Sequence, residues 1–71
     1  MLKKKRIRNK LTELELAKKI GISEGYISKL EKHPKLCNPT VNLILKLSKE
    51  LKLNPVKLFI YFIQDKKDHD N

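Results

Sequence analysis

The sequence predicts an all-α fold. The cues that mark β-strands are missing: there is no apolar–polar alternation, no pair of β-rich runs and no hairpin dipeptide. Apolar residues instead recur at helical spacing, in segments that start with capping residues such as Thr12 and Ser23. With 71 residues the chain is long enough for one domain with a thin core. We therefore expect one helical domain.

The clearest pair of helices occupies residues 12–32. Thr12 is a good N-cap, and Glu15 follows at the spacing of a capping box. Gly21 follows the last turn of this helix, where a left-handed residue ends many helices without strain if it is glycine. Ser23 caps the second helix, residues 23–32. The apolar positions expected to face the core are Leu14, Ala17, Ile20, Ile27 and Leu30.

The segments on either side of this pair are less regular. Residues 2–9 form an expected first helix, and Asn9 is expected to take the left-handed conformation in the turn that follows. Residues 33–38 are expected to form a loop, since Pro34 and the following Pro39 disfavour a helix across it. We expect Leu36 to fold back onto the core.

A fourth helix is expected over residues 40–51. Its inward stripe is expected to comprise Val41, Ile44, Leu47, Ser48 and Leu51. Leu43 and Leu45 lie off this stripe, either as scattered surface residues or as part of a partner surface.

Pro55 fits the first turn of a fifth helix, which then carries five consecutive apolar residues, 59–63. Phe59 and Phe62 can pack inward, whereas Ile60, Tyr61 and Ile63 need another surface. We expect the domain to span residues 1–63, followed by a frayed polar tail over residues 64–71.

The formal net charge is +9, which fits either a lysine-rich soluble surface or attraction to a polyanion. The distribution is uneven, because the acids gather partly in the tail and none occurs among the first ten residues. Six of those ten residues are basic: Lys3, Lys4, Lys5, Arg6, Arg8 and Lys10.

Other functional classes find little support. A single cysteine excludes an internal disulfide and fits a reducing cytosol, and no apolar run approaches the roughly 20 residues of a membrane span. The charged start has no apolar stretch after it, so we expect no secretory signal and a cytoplasmic protein. Cys37, His33 and His69 lack the paired spacing of a zinc site. There is no nucleophile–base set and no glycine-rich phosphate loop, so we expect no metal, no cofactor and no enzymatic activity.

A small residue at Ala17, a turn glycine at Gly21 and apolar anchors at Ile27 and Leu30 resemble the helix-turn-helix of the Xre/Cro-like regulators. The resemblance covers about residues 2–59 and depends on many spaced positions. Further similar positions are Leu11, Thr12, Leu16, Ile20, Ile22, Ser23, Tyr26, Ser28, Lys29, Glu31, Pro39, Thr40, Leu58 and Phe59. It implies a compact five-helix, lambda-repressor-like bundle with the helix-turn-helix at helices 2 and 3.

The resemblance also implies a function: a sequence-specific regulator of transcription, expected to be a repressor, that binds double-stranded DNA with residues 23–32 in the major groove. The base-facing positions carried over from the family are Glu24, Gly25, Ser28 and Lys29. The positions expected at the DNA backbone are Thr12, Glu13, Ser23, Tyr26, Lys32, His33 and Lys35.

Two details refine this expectation. Many family members have glutamine where Glu13 stands, and a carboxylate repels phosphate, so the Glu13 contact is the weakest of the set. Family members often pair an arginine of the first helix with the glutamate at the end of the third helix. We therefore expect Arg6 to contact Glu31.

We further expect a symmetric homodimer, because one short helix makes few base contacts and two copies can read two half-sites. The expected dimer interface is Ile60, Tyr61 and Ile63. Two alternatives remain open for this segment. It could pack on its own core, or it could hold a different protein, as in an antitoxin or a partner-binding module of the same fold.

Overall fold

The computed structural model describes residues 1–67, which form five α-helices and one 3-10 helix and contain no strand. The all-α prediction is confirmed, and so are the order and number of the α-helices. Their bounds are α1 Leu2–Arg8, α2 Glu13–Ile20, α3 Glu24–Lys32, the 3-10 helix Pro34–Leu36, α4 Val41–Leu51 and α5 Pro55–Lys67. None of the described helices is both long and apolar enough to cross a membrane.

Hydroxyl caps set where three of the helices begin. The Thr12 hydroxyl accepts a hydrogen bond from the Glu15 backbone N–H at 3.0 Å, and the Glu15 carboxylate accepts one from the Thr12 N–H at 2.9 Å. The hydrogen bond from the Thr12 N–H, followed by the interaction with the Thr12 side chain, holds the pKa of Glu15 below its ordinary value, because both favour the carboxylate. Ser23 caps α3 through the Tyr26 N–H at 3.1 Å, and Thr40 caps α4 in the same way.

Left-handed residues end α2 and α4. Gly21 takes φ +79° and ψ 35°, as the sequence predicts, and its N–H donates to the Ala17 carbonyl at 2.8 Å. Lys52 ends α4 at φ 55°, a conformation that is less favourable for a residue with a Cβ.

The prediction that Asn9 is left-handed is wrong. Asn9 has φ −87°, and Lys10 takes the left-handed conformation at φ 58°. The reason is the Asn9 side chain, whose amide donates to the Lys5 carbonyl at 2.8 Å and to the Leu51 carbonyl at 3.3 Å. Asn9 therefore links the end of α1 to the end of α4.

A single hydrophobic core joins the five helices. α4 contacts α1, α2 and α5, while α2 packs closely on α3. The described core residues are Leu2, Leu16, Ala17, Ile20, Ile27, Leu30, Cys37, Leu43, Ile44, Leu47, Leu51, Leu58 and Phe62.

Two predicted core positions turn outward at the starts of helices. Leu14 is exposed and Leu16 is buried, because α2 faces the core through Leu16 and the residues that follow it at helical spacing. Likewise Val41, the first residue of α4, is exposed. Leu43, which was predicted to lie off the inward stripe of α4, is buried and belongs to that stripe.

The loop after α3 also differs from expectation. Leu36 is 69% exposed, so the prediction that it folds back onto the core is wrong. The 3-10 turn instead brings the next residue, Cys37, into the core, where its thiol donates to the His33 carbonyl at 3.5 Å.

The inward face of α5 consists of Leu58 and Phe62, which lie four residues apart and are both buried. The inward placement predicted for Phe59 is wrong, since this side chain is 42% exposed. Tyr61, predicted to need another surface, is half-buried on its own core, with its ring 5.3 Å from the Phe62 ring in a T-shaped contact. α5 continues to Lys67, into the segment expected to be a tail, and residues 68–71 lie outside the described range.

The two glycines provide a matched test of the helix-turn-helix backbone. Gly21→Ala is expected to lower the free energy of unfolding by about 1 kcal/mol, because alanine is strained in the left-handed region. Gly25→Ala is expected to raise it by about 0.5 kcal/mol, since Gly25 is helical and a Cβ there meets no atom within 4 Å. Urea denaturation of both variants measures the difference, and equal effects would contradict the assigned backbone conformations.

Candidate nucleic-acid interface

A tight turn fixes α3 relative to α2. The backbone N–H groups of Gly21 and Ile22 both donate to the Ala17 carbonyl, at 2.8 and 3.0 Å. Ala17 is fully buried, as are Ile27 and Leu30 on the inner side of α3. The small side chain of Ala17 allows the two helices to approach closely, so the inner face of α3 is locked and its outer face has a defined direction.

The four positions expected to face bases share that outer face. Glu24, Gly25 and Lys29 are exposed and Ser28 is half-buried. They occupy positions i, i+1, i+4 and i+5, which form one stripe on the side of the helix away from Ile27. The structure therefore presents two charged side chains, one hydroxyl and one bare backbone position together on a single helical surface.

The residues expected at the DNA backbone lie in three regions: the start of α2, α3 with its N-cap, and the 3-10 turn. Two of them, Glu13 and Tyr26, are half-buried. The exposed ones are Thr12, Ser23, Lys32, His33 and Lys35. Thr12 and Ser23 are the N-caps of α2 and α3, where backbone N–H groups and the helix dipole favour an anion.

The loop side of the interface is concave and basic. Lys32, His33, Pro34, Lys35 and Leu36 line a shallow depression of about 240 Å³ beside the end of α3. No carboxylate lines it, so this side of the interface carries a positive potential.

Tyr26 connects the interface to the core. Its ring packs against the buried cluster, and burial raises the pKa of its hydroxyl above the ordinary value. The hydroxyl therefore stays protonated at neutral pH and can donate a hydrogen bond from a side chain whose ring is held by packing.

Arg6 and Glu31 form the contact that the resemblance implied. Arg6 Nε donates to Glu31 Oε2 at 2.6 Å and Nη2 donates to Oε1 at 3.2 Å, a bidentate geometry. Arg6 Nη1 also donates to the Leu11 carbonyl at 2.9 Å. The two side chains are only 11% and 4% exposed, and the hydrogen bond to Glu31 raises the pKa of Arg6. One guanidinium thus fixes α1, the entry to α2 and the end of α3 together.

Other side chains considered from sequence are not brought together. Ile60 and Ile63 are exposed on α5, and Tyr61 is half-buried there, so the three do not form one equivalent surface. Within residues 1–67 no group of three or more His, Cys, Asp or Glu side chains is placed to hold a metal ion. His69 lies outside the described residues.

The sequence reasoning missed an apolar groove between α4 and α5. Val41, Ile44, Leu45, Pro55, Val56 and Phe59 line this groove, whose volume is about 240 Å³. The exposed Leu45 gave a partial signal, but the groove also depends on Val41 and Phe59, which the helical pattern had assigned to the core.

Comparison with known proteins gives one match. Residues 2–58 match the family described as helix-turn-helix. The matched range covers α1 to α4 and the first part of α5. No curated protein and no solved structure matches the chain significantly.

The Arg6–Glu31 pair gives a test of what holds α1 against α3. Glu31→Ala is expected to lower the free energy of unfolding by about 3 kcal/mol, because it leaves a buried guanidinium without its carboxylate. The double variant Arg6→Met/Glu31→Leu is expected to recover most of that loss, since it removes both charges. Urea denaturation measures both effects. Glu24→Ala is the control on an exposed glutamate of the same helix, and a loss there as large as that of Glu31→Ala would contradict the role of the pair.

Proposed function

Because the chain belongs to the Xre/lambda-repressor-like helix-turn-helix family of DNA-binding regulators, we propose that it binds specific double-stranded DNA sites and represses transcription there. The observation that carries this proposal is the outward stripe of Glu24, Gly25, Ser28 and Lys29 on a helix whose inner face is locked. A helix of this kind fits the major groove of B-form DNA.

Each residue of the stripe has a chemical role at a base edge. Lys29 donates to guanine O6 or N7, Glu24 accepts from cytosine N4, and Ser28 can serve either role. Gly25 reads no base but lets the helix approach closely. Protein packing does not require a glycine at Gly25, because a Cβ there meets no atom within 4 Å. Each good contact discriminates between bases by about 1–3 kcal/mol.

Phosphate contacts set the register of α3 in the groove. We assign them to the exposed N-caps Thr12 and Ser23, to the Tyr26 hydroxyl, and to the basic group Lys32, His33 and Lys35. For Glu13 we assign the backbone N–H at the start of α2, because its carboxylate repels phosphate. The Glu13 carboxylate interacts instead with Arg6, because its negative charge favours the protonated guanidinium.

A single copy of α3 reads few bases, so the proposal includes a homodimer that places two copies about 34 Å apart on one DNA face. Ile60 and Ile63 support an interface on α5 because they are large, apolar and exposed, and Tyr61 lies beside them. We assign the protein to the cytoplasm, where its single cysteine stays reduced, and we assign it no cofactor and no catalytic activity.

The same exposed side chains of α5 favour one other function, an antitoxin or another module that holds a different protein. Co-purification from the native host separates the two. A stoichiometric second protein that stays bound through Ile60 and Ile63 supports the partner module, whereas the chain alone on DNA supports the repressor.

Selection of bound sites from random duplexes tests the proposed function directly. We expect a short recurring half-site, present twice in inverted orientation, with affinity that falls steeply as salt rises. Recovery of no preferred sequence, or binding that does not respond to ionic strength, would reject the proposal.

Two lysines of α3 separate base contacts from phosphate contacts. Lys29→Ala is expected to weaken binding to the selected site by about 1–3 kcal/mol and to relax the preference at one position. Lys32→Ala is expected to weaken selected and random duplexes alike and to reduce the salt slope by about one. Fluorescence anisotropy on both duplexes at several salt concentrations measures these effects. Equal losses from the two variants on both duplexes would contradict the roles.

A further inference from the structure

A second basic depression lies where the end of α1 meets the end of α4. We call it the α1–α4 depression, and its lining residues are Lys5, Arg8, Asn9, Leu51 and Lys52. Its volume is about 330 Å³, and the described lining contains three cations and no carboxylate. None of these residues belongs to α2, α3 or the 3-10 turn, so the depression is separate from the candidate interface with DNA.

The helical period directs the two α1 cations of the depression away from α3. Arg6 marks the side of α1 that reaches α3, because it pairs there with Glu31. Around the helix axis, Lys5 lies about 100° from Arg6, and Arg8 lies about 160° from it in the same direction. An anion in the α1–α4 depression therefore meets side chains that the Arg6–Glu31 pair leaves available.

Hydrogen bonds fix the backbone beneath these cations. The Asn9 side-chain amide donates to the Lys5 carbonyl at 2.8 Å and to the Leu51 carbonyl at 3.3 Å. Leu51 is fully buried, and Lys5 is half-buried. The cations therefore project from two helix ends that are tied to each other, which is the kind of rigid support that a binding site needs.

Two features of the depression cost stability. The like charges of Lys5, Arg8 and Lys52 repel one another across it, and Glu50, the acid of α4, is not among the lining residues. Lys52 also takes φ 55°, a conformation that glycine adopts without strain but that disfavours a residue with a Cβ. Repulsion and backbone strain at the same place are typical of a site kept for binding.

The lining indicates the class of anion. Ammonium and guanidinium groups both bind phosphate oxygens, and the planar guanidinium of Arg8 can do so with two parallel N–H groups. Three cations match a ligand with several negative charges better than one with a single charge. The volume lies at the lower end of the range for small-molecule sites, so the ligand is compact.

We propose that the α1–α4 depression binds a small ligand that carries two or more linked phosphates, with Lys5, Arg8 and Lys52 as its phosphate-binding residues. The bound ligand neutralises the repulsion and holds α1 against α4, so it stabilises the domain. This inference goes beyond the proposed DNA-binding function and does not depend on it.

Titration of the full chain with sodium tripolyphosphate tests where the anion binds. In about 20 mM salt, NMR spectra of the ¹⁵N-labelled chain are expected to shift most at the backbone amides of Arg8, Asn9 and Lys52, with a Kd of about 0.1–1 mM. Sodium chloride at the same ionic strength is the control. Largest shifts at the other basic depression, residues 32–36, overturn the proposal, and so do shifts that chloride reproduces.

Two left-handed lysines provide matched variants. Lys52→Gly and Lys10→Gly each remove one positive charge and relieve one left-handed conformation, at φ 55° and 58°, but only Lys52 lines the depression. Each variant is expected to raise the Tm by about 4 °C. Lys52→Gly is expected to weaken tripolyphosphate binding about fivefold, whereas Lys10→Gly is expected to stay within about twofold. Equal affinities of the two variants in the same titration overturn the proposal.

Thermal unfolding tests whether the ligand stabilises the domain. About 5 mM tripolyphosphate is expected to raise the Tm by roughly 5–10 °C at low salt. The double variant Lys5→Gln/Arg8→Gln is expected to lose most of this rise. Lys18→Gln/Lys19→Gln, which removes the same charge from exposed positions of α2, is expected to keep it. A rise that both double variants lose equally reflects the overall charge and overturns the proposal.

A duplex of random sequence separates this site from the interface with DNA. The chain saturated with duplex is expected to bind tripolyphosphate with the same shifts at Arg8, Asn9 and Lys52. A duplex that itself shifts these amides and blocks tripolyphosphate shows that the depression binds nucleic acid, which overturns the proposal. A chain that binds no duplex but binds tripolyphosphate at these amides overturns the proposed function and supports this inference.

Discussion

The ion pair between Arg6 and Glu31 is the interaction on which the packing of α1 against the helix-turn-helix depends. α1 has seven residues and buries only Leu2 and Arg6, so it has neither the length nor the apolar area to stay helical alone. Burial of a guanidinium is costly unless a partner and further hydrogen bonds satisfy it. Here Glu31 accepts two hydrogen bonds and the Leu11 carbonyl accepts a third. A charged residue at the end of α3 thus replaces the apolar packing that α1 lacks.

The starts of α2, α3 and α4 and the end of α2 could be predicted because local interactions determine them. Thr12, Ser23 and Thr40 each bond to a backbone N–H three residues ahead, and Gly21 is left-handed within its own turn. Local interactions do not determine which side of a helix faces the core when apolar residues occur on several of its sides. α5 is the clearest case. Its run of apolar residues is compatible with several orientations, and only packing on α4 selects Leu58 and Phe62.

The same distinction between local spacing and long-range contacts applies to the candidate site. The spacing of Ile27 and Leu30 was enough to place Lys29 on the outer face of α3, because the period of the helix fixes the opposite side. The Arg6 contact joins residues 25 positions apart, so it came from the family resemblance and not from any local pattern. The groove between α4 and α5 could not be predicted from the sequence, because it forms only when the side chains of Val41 and Phe59 point outward.

The exposed apolar side chains of α4 and α5 follow from how little core a chain of this size can build. Once Leu43, Leu58 and Phe62 are buried, α4 and α5 are packed against each other and no interior volume is left for Leu45, Phe59 or Ile63. These exposed residues contribute little to folding, and none of them lies on α2 or α3. A domain with a thin core can therefore carry a second apolar surface at low cost to its own stability.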